Sequence, residues 1–161
     1  MEKQKYAAIV LAAGSGKRMN SKVHKQYLII QDRPVLYYSL KAFEDSAVDE
    51  IVLVVGKGEE EFCRREIVDK YGISKVKAIV EGGKERYHSV FEGLKQTSDA
   101  DYVLIHDGAR PFVTEDIICR SIDTVKKEKA CVVGMPVKDT IKIATEDTYA
   151  SVTPDRRLVW M

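Results

Sequence analysis

Tyr6-Ala7-Ala8-Ile9-Val10-Leu11-Ala12-Ala13-Gly14-Ser15-Gly16-Lys17-Arg18-Met19 runs from an apolar stretch of strand length straight into a small-residue turn and then into two cations. Tyr6–Ala12 shows no polar alternation, which is the pattern of a strand buried on both faces in a parallel sheet. Outward from it, apolar runs alternate with segments of helical period, the sequence mark of an α/β fold. Pro34–Asp45 sets Val35, Leu36, Leu40 and Phe43 on one helical face behind an initiating proline. Ile51–Val55 is the next strand, Glu59–Tyr71 a charged helix stopped by Gly72, and Val76–Val80 a third strand. Arg86–Gln96 is predicted as a helix burying Tyr87, Val90, Phe91 and Leu94, and Tyr102–Ile105 as the fourth strand. Glu115–Lys127 repeats the amphipathic pattern through Ile118, Ile122 and Val125, and Cys131–Gly134 is predicted as a fifth strand. From Val137 to Val159 the residues alternate around the polar Thr145–Thr148 stretch, which predicts a β-hairpin arm. The expected fold is a mainly parallel sheet flanked by helices, in one domain spanning 1–161 with the arm at about 137–159.

Composition narrows the function. With 45% hydrophobic and 32% charged residues the chain has the usage of an ordinary globular protein. Lys and Arg total 26 against 25 Asp and Glu, so no whole-chain charge supports nucleic-acid or membrane binding. No apolar run approaches the ~20 residues of a membrane span. The first residues lack the layout of an export signal, which leads to the expectation of a cytoplasmic protein. Cys63, Cys119 and Cys131 are odd in number and widely spaced, so they are read as small buried hydrophobes and not as a disulfide framework or a zinc site.

In open parallel sheets ligands bind beyond the carboxyl ends of the strands. The loop after the first strand looks built for phosphate, because its glycines let backbone N–H groups approach an anion. Lys3, Lys5, Lys17, Arg18, Lys22 and Lys25 all fall between Lys3 and Gln31, where no acid occurs. That local excess points to a polyanionic ligand, with a glycine turn beside a solvated basic face as the alternative. A Walker loop is excluded by Arg18 where Ser or Thr is needed, and a dinucleotide fingerprint by Met19 where Gly or Ala is needed. After the third strand, Gly82, Gly83 and Ser89 open a helix where backbone and hydroxyl could meet a base or sugar. After the fourth, His106 and Asp107 alternate across the strand and so make a poor dyad. Asp107 could orient a hydroxyl or hold a metal and Arg110 could grip a phosphate, or the two could simply pair with each other. No Ser, His and Asp set fits a nucleophile motif.

Six motifs together resemble the 2-C-methyl-D-erythritol 4-phosphate cytidylyltransferases: L-A-A-G-S-G-K-R-M at 11–19, H-K-Q-Y-L at 24–28, E-G-G-K-E-R-Y-H-S-V at 81–90, H-D-G-A-R-P-F at 106–112, V-K-D-T-I-K at 137–142 and T-P-D-R at 153–156. The resemblance implies a Rossmann-like fold and a reaction joining CTP to methylerythritol phosphate, with Mg²⁺ as cofactor and pyrophosphate released. It implies Arg18 and Lys25 as the catalytic cations. It implies Ala12, Ala13, Gly14 and Gly16 around the nucleotide phosphates, and Gly82, Ser89 and Gly108 lining the cytidine site. Asp107 and Arg110 would hold the methylerythritol phosphate, reached also by Thr140 and Arg156 from a neighbouring subunit's arm. A homodimer with arm-exchanged sites follows from that last implication. No protein metal ligands are expected, since Mg²⁺ would bridge phosphate oxygens.

The sequence departs from the family pattern in two places. His24 stands where the family usually has proline, and the chain stops at Trp160-Met161 where the family continues with a Q-T-P-Q segment, further helices and a phosphate-contacting lysine. The expectation is an apolar sheet edge and an incomplete pocket. Two further readings stay open on sequence alone: a CTP-binding or dimerisation fragment without turnover, and a related polyol-phosphate cytidylyltransferase.

Overall fold

In the computed structural model the described residues are 3–14, 23–146 and 149–161. The strand β1 (Tyr6–Ala12) is followed by a 3-10 turn at Lys25–Tyr27 and a tight hairpin of β2 (Ile29–Ile30) and β3 (Arg33–Pro34). Then come α1 (Val35–Glu44), β4 (Glu50–Val55), α2 (Glu60–Cys63, continuing in π-helical form over Arg64–Asp69), β5 (Val76–Glu81) and α3 (Arg86–Leu94). The chain goes on through β6 (Tyr102–Asp107), α4 (Glu115–Glu128) and an antiparallel pair, β7 (Ile143–Ala144) and β8 (Ala150–Val152).

The strands β5-β4-β1-β6 form a parallel sheet in that order. β1 and β4 are central, and their side chains from Ala7 to Val10 and from Ile51 to Val55 are wholly buried, as the unbroken apolar runs require. One face packs Val10 and Leu53 under Leu36, Leu40 and Phe43 of α1 and Ile118 and Ile122 of α4. The other packs Ile9, Val52 and Val54 beneath α3. Registers place Leu11 beside Asp107, Ala12 beside Val55, and Val55 beside Glu81, so the four strands end at one level.

Pro34 holds the extended backbone that opens α1, and the Thr114 hydroxyl accepts from Ile117 N to cap α4. None of the helices among the described residues is long and apolar enough to cross a membrane.

Three sequence expectations need correction. α3 turns Ser89 and Gly93 to the sheet, while Tyr87, Phe91 and Leu94 are exposed. Gly93 lies against Ile9, so the small residues and not the large ones define the contact face. Cys131–Gly134 forms no strand, because its backbone has no neighbouring strand to pair with; instead Met135 and Val137 bond antiparallel to Met161 and Val159. Cys63 is buried as expected, but Cys131 is exposed, with its thiol donating to the Ser121 carbonyl at 3.5 Å.

Candidate active site

The ends of β1, β5 and β6 bring three of the sequence-selected loops together. Ala12 closes β1 buried, and Ala13 and Gly14 emerge progressively into solvent. Gly82 donates its N–H to Val55 O at 2.8 Å, and a Cβ at this position would lie 2.5 Å from the Ala13 Cβ and 2.7 Å from Ser89 Oγ. Only a glycine therefore lets the β5 loop close against the phosphate loop and α3. Ser89 is buried and its Oγ accepts from Gly83 N at 3.1 Å, which ties the glycine pair to the helix. Gly108 donates to Leu11 O at 2.8 Å and packs on Leu36, so the β6 loop also rests on β1.

Asp107 sits between two guanidinium groups. Arg86 donates to its Oδ1 from Nε at 3.2 Å and Nη2 at 3.0 Å, and Arg110 Nε approaches Oδ2 at 3.0 Å. The pairing of Asp107 with Arg110 left open by their spacing is thus present, and Arg86 joins it. Arg86 was within the 81–90 motif but carried no individual signal for this contact. His106 points to the opposite face, its ring 5.4 Å from that of Phe43 and its Nε2 3.1 Å from the Arg110 carbonyl. Burial pulls its pKa below the ordinary imidazole value, so it is a neutral packing group.

Lys25 is exposed and begins the 3-10 turn. Its neighbours are anchored on both sides. Gln26, 1% exposed, donates from Nε2 to the Ala12 carbonyl at 2.6 Å. The Tyr27 hydroxyl donates to Glu59 Oε2 at 2.7 Å, and His24 Nδ1 faces Glu59 Oε1 at 2.9 Å. Burial, with Cys63 and Glu59 beside it, raises the Tyr27 hydroxyl pKa, and burial pushes the Cys63 thiol up to about 11. The thiol stays protonated and lies 3.1 Å from the Tyr27 oxygen, whose own proton goes to Glu59. Sequence reading missed Gln26 and Glu59. Gln26 lies within the 24–28 motif, whereas Glu59 lies 32 residues from Tyr27 with nothing local to mark it.

Gly16 and Arg18 lie outside the described residues, as do the other positions from 15 to 22. Thr140 and Arg156 are exposed in the arm, where Arg156 Nη1 donates to Lys138 O at 3.1 Å. Among the described residues no hydrogen bond or ion pair joins either of them to the loops of the sheet. Nor does any group of three or more His, Cys, Asp or Glu side chains lie placed to hold a metal.

Among the described residues, a parallel sheet whose first strand leads to Gly14 and whose strand ends carry Lys25, Arg86 and Arg110 has the form of an α/β protein that binds its ligand at the carboxyl ends of the strands. The sequence model of IspD, 2-C-methyl-D-erythritol 4-phosphate cytidylyltransferase, matches residues 6–161, and the chain belongs to this family. It is 54% identical over 157 residues to the 2-C-methyl-D-erythritol 4-phosphate cytidylyltransferase of Lachnoclostridium phytofermentans, covering 98% of this chain and 67% of that protein. Identity to the enzyme of the same name from Alkaliphilus metalliredigens is 47%, covering 97% of this chain and 66% of that one. The crystal structure of 4-diphosphocytidyl-2C-methyl-D-erythritol synthase from Anaerococcus prevotii superposes with a TM-score of 0.84 at 34% identity, covering 98% of this chain and 68% of that one. The chain thus spans about two thirds of the length of its relatives. Enzymes of the family convert CTP and methylerythritol phosphate to CDP-methylerythritol in isoprenoid biosynthesis.

Proposed function

We propose that this chain transfers the cytidylyl group of CTP to methylerythritol phosphate, releasing pyrophosphate. A phosphate oxygen of the alcohol phosphate attacks the α-phosphorus of CTP, a new P–O bond forms, and the bond to the β-phosphate oxygen breaks. No protein nucleophile is required, so catalysis rests on alignment and charge neutralisation. The observation that carries the reading is the hydrogen bond from Gln26 to the Ala12 carbonyl, which ties the turn containing Lys25 to the end of β1.

In this reading the backbone of Ala12, Ala13, Gly14 and Gly16 wraps the triphosphate, and Lys25 and Arg18 neutralise charge developing at the α-phosphate and on the departing pyrophosphate. Gly82, Ser89 and Gly108 border the cytidine. Asp107, held by Arg86, works with Arg110 on the alcohol phosphate. Mg²⁺, when bound with the nucleotide, would supply further charge neutralisation. Thr140 and Arg156 complete the site from the arm of a second subunit in a homodimer, and the reaction belongs to the cytoplasm, where CTP is made.

The test is pyrophosphate release by this chain with CTP, methylerythritol phosphate and Mg²⁺. Release that depends on the alcohol phosphate is expected. CTP binding without release would make the chain a nucleotide-binding fragment, and release only with another alcohol phosphate would reassign the substrate.

A further inference from the structure

The turn that carries Lys25 is only three residues long and has no side-chain cap of its own, so its position depends on what its flanking residues hold. Two of the flanks converge on one carboxylate. Glu59 Oε2 accepts from the Tyr27 hydroxyl at 2.7 Å, and Oε1 meets His24 Nδ1 at 2.9 Å, so one side chain grips the residues on either side of Lys25-Gln26. The carboxylate is itself fixed, because Oε2 also accepts from Gly56 N at 3.1 Å just past the end of β4. Gly56 leaves the space for it: a Cβ there would stand 2.7 Å from Oε2 and 3.0 Å from Cδ. Packing reinforces the arrangement, with the Tyr27 ring edge-on to Phe62 at 5.2 Å and its oxygen 3.1 Å from Cys63 Sγ, both on α2. Position 24, where the resemblance implies proline, carries a histidine that is tied to the Glu59 carboxylate through Nδ1.

From this geometry we infer that Glu59 is a positioning residue for Lys25, transmitting the rigid end of β4 to the cation at the phosphate loop. The inference rests on the proposed cytidylyl transfer for its kinetic consequence, but not for its structural one. A carboxylate that only capped α2 would affect stability without acting through Lys25, and the two roles separate experimentally.

The experiment compares the chain with Glu59→Ala, and with Gly56→Ala, whose added methyl pushes the carboxylate aside without removing it. The first readout is the initial rate of tryptic cleavage after Lys25, followed by mass spectrometry against cleavage after Lys129. Glu59→Ala should raise the ratio about tenfold or more, as expected when hydrogen bonds to a charged acceptor are lost. Gly56→Ala should raise it in the same direction. The second readout is a double-mutant cycle on kcat with Lys25→Ala. Glu59→Ala alone should lower kcat on the order of 10²-fold with a smaller change in KM for CTP, and should cost nothing further once Lys25 is gone. An unchanged cleavage ratio, or losses that multiply in the double variant, would overturn the inference. Should the unsubstituted chain release no pyrophosphate, the proposed function fails, and the cleavage ratio alone decides the positioning role.

Discussion

Asp107 and His106 are adjacent in β6, yet strand alternation gives them opposite fates. Asp107 faces the open end of the sheet and is satisfied by Arg86 and Arg110, while His106 turns under α1 onto Phe43. Burial is the main force on His106 and it disfavours the imidazolium; the Arg110 carbonyl and the Asp107 charge oppose it without reversing the direction. The sign of the consequence follows from proton counting. Below about pH 6.5 the unfolded chain protonates this imidazole, whereas the folded chain does not until a lower pH. Stability contributed by neutral His106 is therefore complete above about pH 6.5 and is lost as the pH falls toward its lowered folded value. The expected outcome is a urea midpoint that declines as the pH falls below about 6.5 and a flatter profile in His106→Gln. An equal slope in the variant would place the proton uptake elsewhere. The alternation itself was legible in the sequence. So was the pairing of Asp107 with Arg110 three residues on, whereas the distant partners were not, since Arg86 reaches Asp107 across 21 residues and Glu59 reaches Tyr27 across 32.

Helix α3 shows where reading by hydrophobic period reaches its limit. Counting large apolar residues points the Tyr87, Phe91 and Leu94 stripe inward, but a helix can approach a sheet closely only through small side chains. Ser89 and Gly93 form that stripe, and a Cβ on Gly93 would stand 2.6 Å from Ile9 Cγ2. Ile9 is fully buried in the central strand and has no room to yield. Gly93→Val should accordingly destabilise the fold by about 2 kcal/mol, overpacking outweighing the helix propensity that replacing glycine restores. Denaturant unfolding measures this, and a midpoint equal to that of the unsubstituted chain would mean that α3 can lift without penalty. The same helix carries Ser89 to Gly83, so the variant should also disturb the β5 loop. The elements that were read correctly share a different property. β1, β4 and α1 bury residues that are both large and apolar, so for them size and period give the same answer. Cys131–Gly134 was apolar enough for a strand, but pairing is a property of two segments and no single run contains it.

At the scale of the whole molecule, the sheet and the arm are separate hydrogen-bonded units among the described residues. Among these residues the strands β7 and β8 pair only with each other, and Ile143 and Val152 on them, like Tyr149 before β8 and Leu158 beyond it, are exposed. A lone two-stranded ribbon is marginal in water, and an apolar one gains by covering its side chains. Docking on a second copy of the chain is the reading proposed above, and it has a quantitative consequence. In a symmetric dimer with exchanged arms, each site takes Lys25 from one subunit and Arg156 from the other. Lys25→Ala and Arg156→Ala chains should each be impaired alone, the first by on the order of 10²–10³-fold in turnover and the second chiefly in capture of the alcohol phosphate. Mixed in equal amounts and allowed to exchange, half the dimers pair one variant with the other, and each such dimer holds one site with both lesions and one with neither. Activity at low alcohol phosphate should then recover to about a quarter of the unsubstituted level. A mixture no more active than its two components measured separately would show that each arm serves its own subunit, or that the arm takes no part in the site.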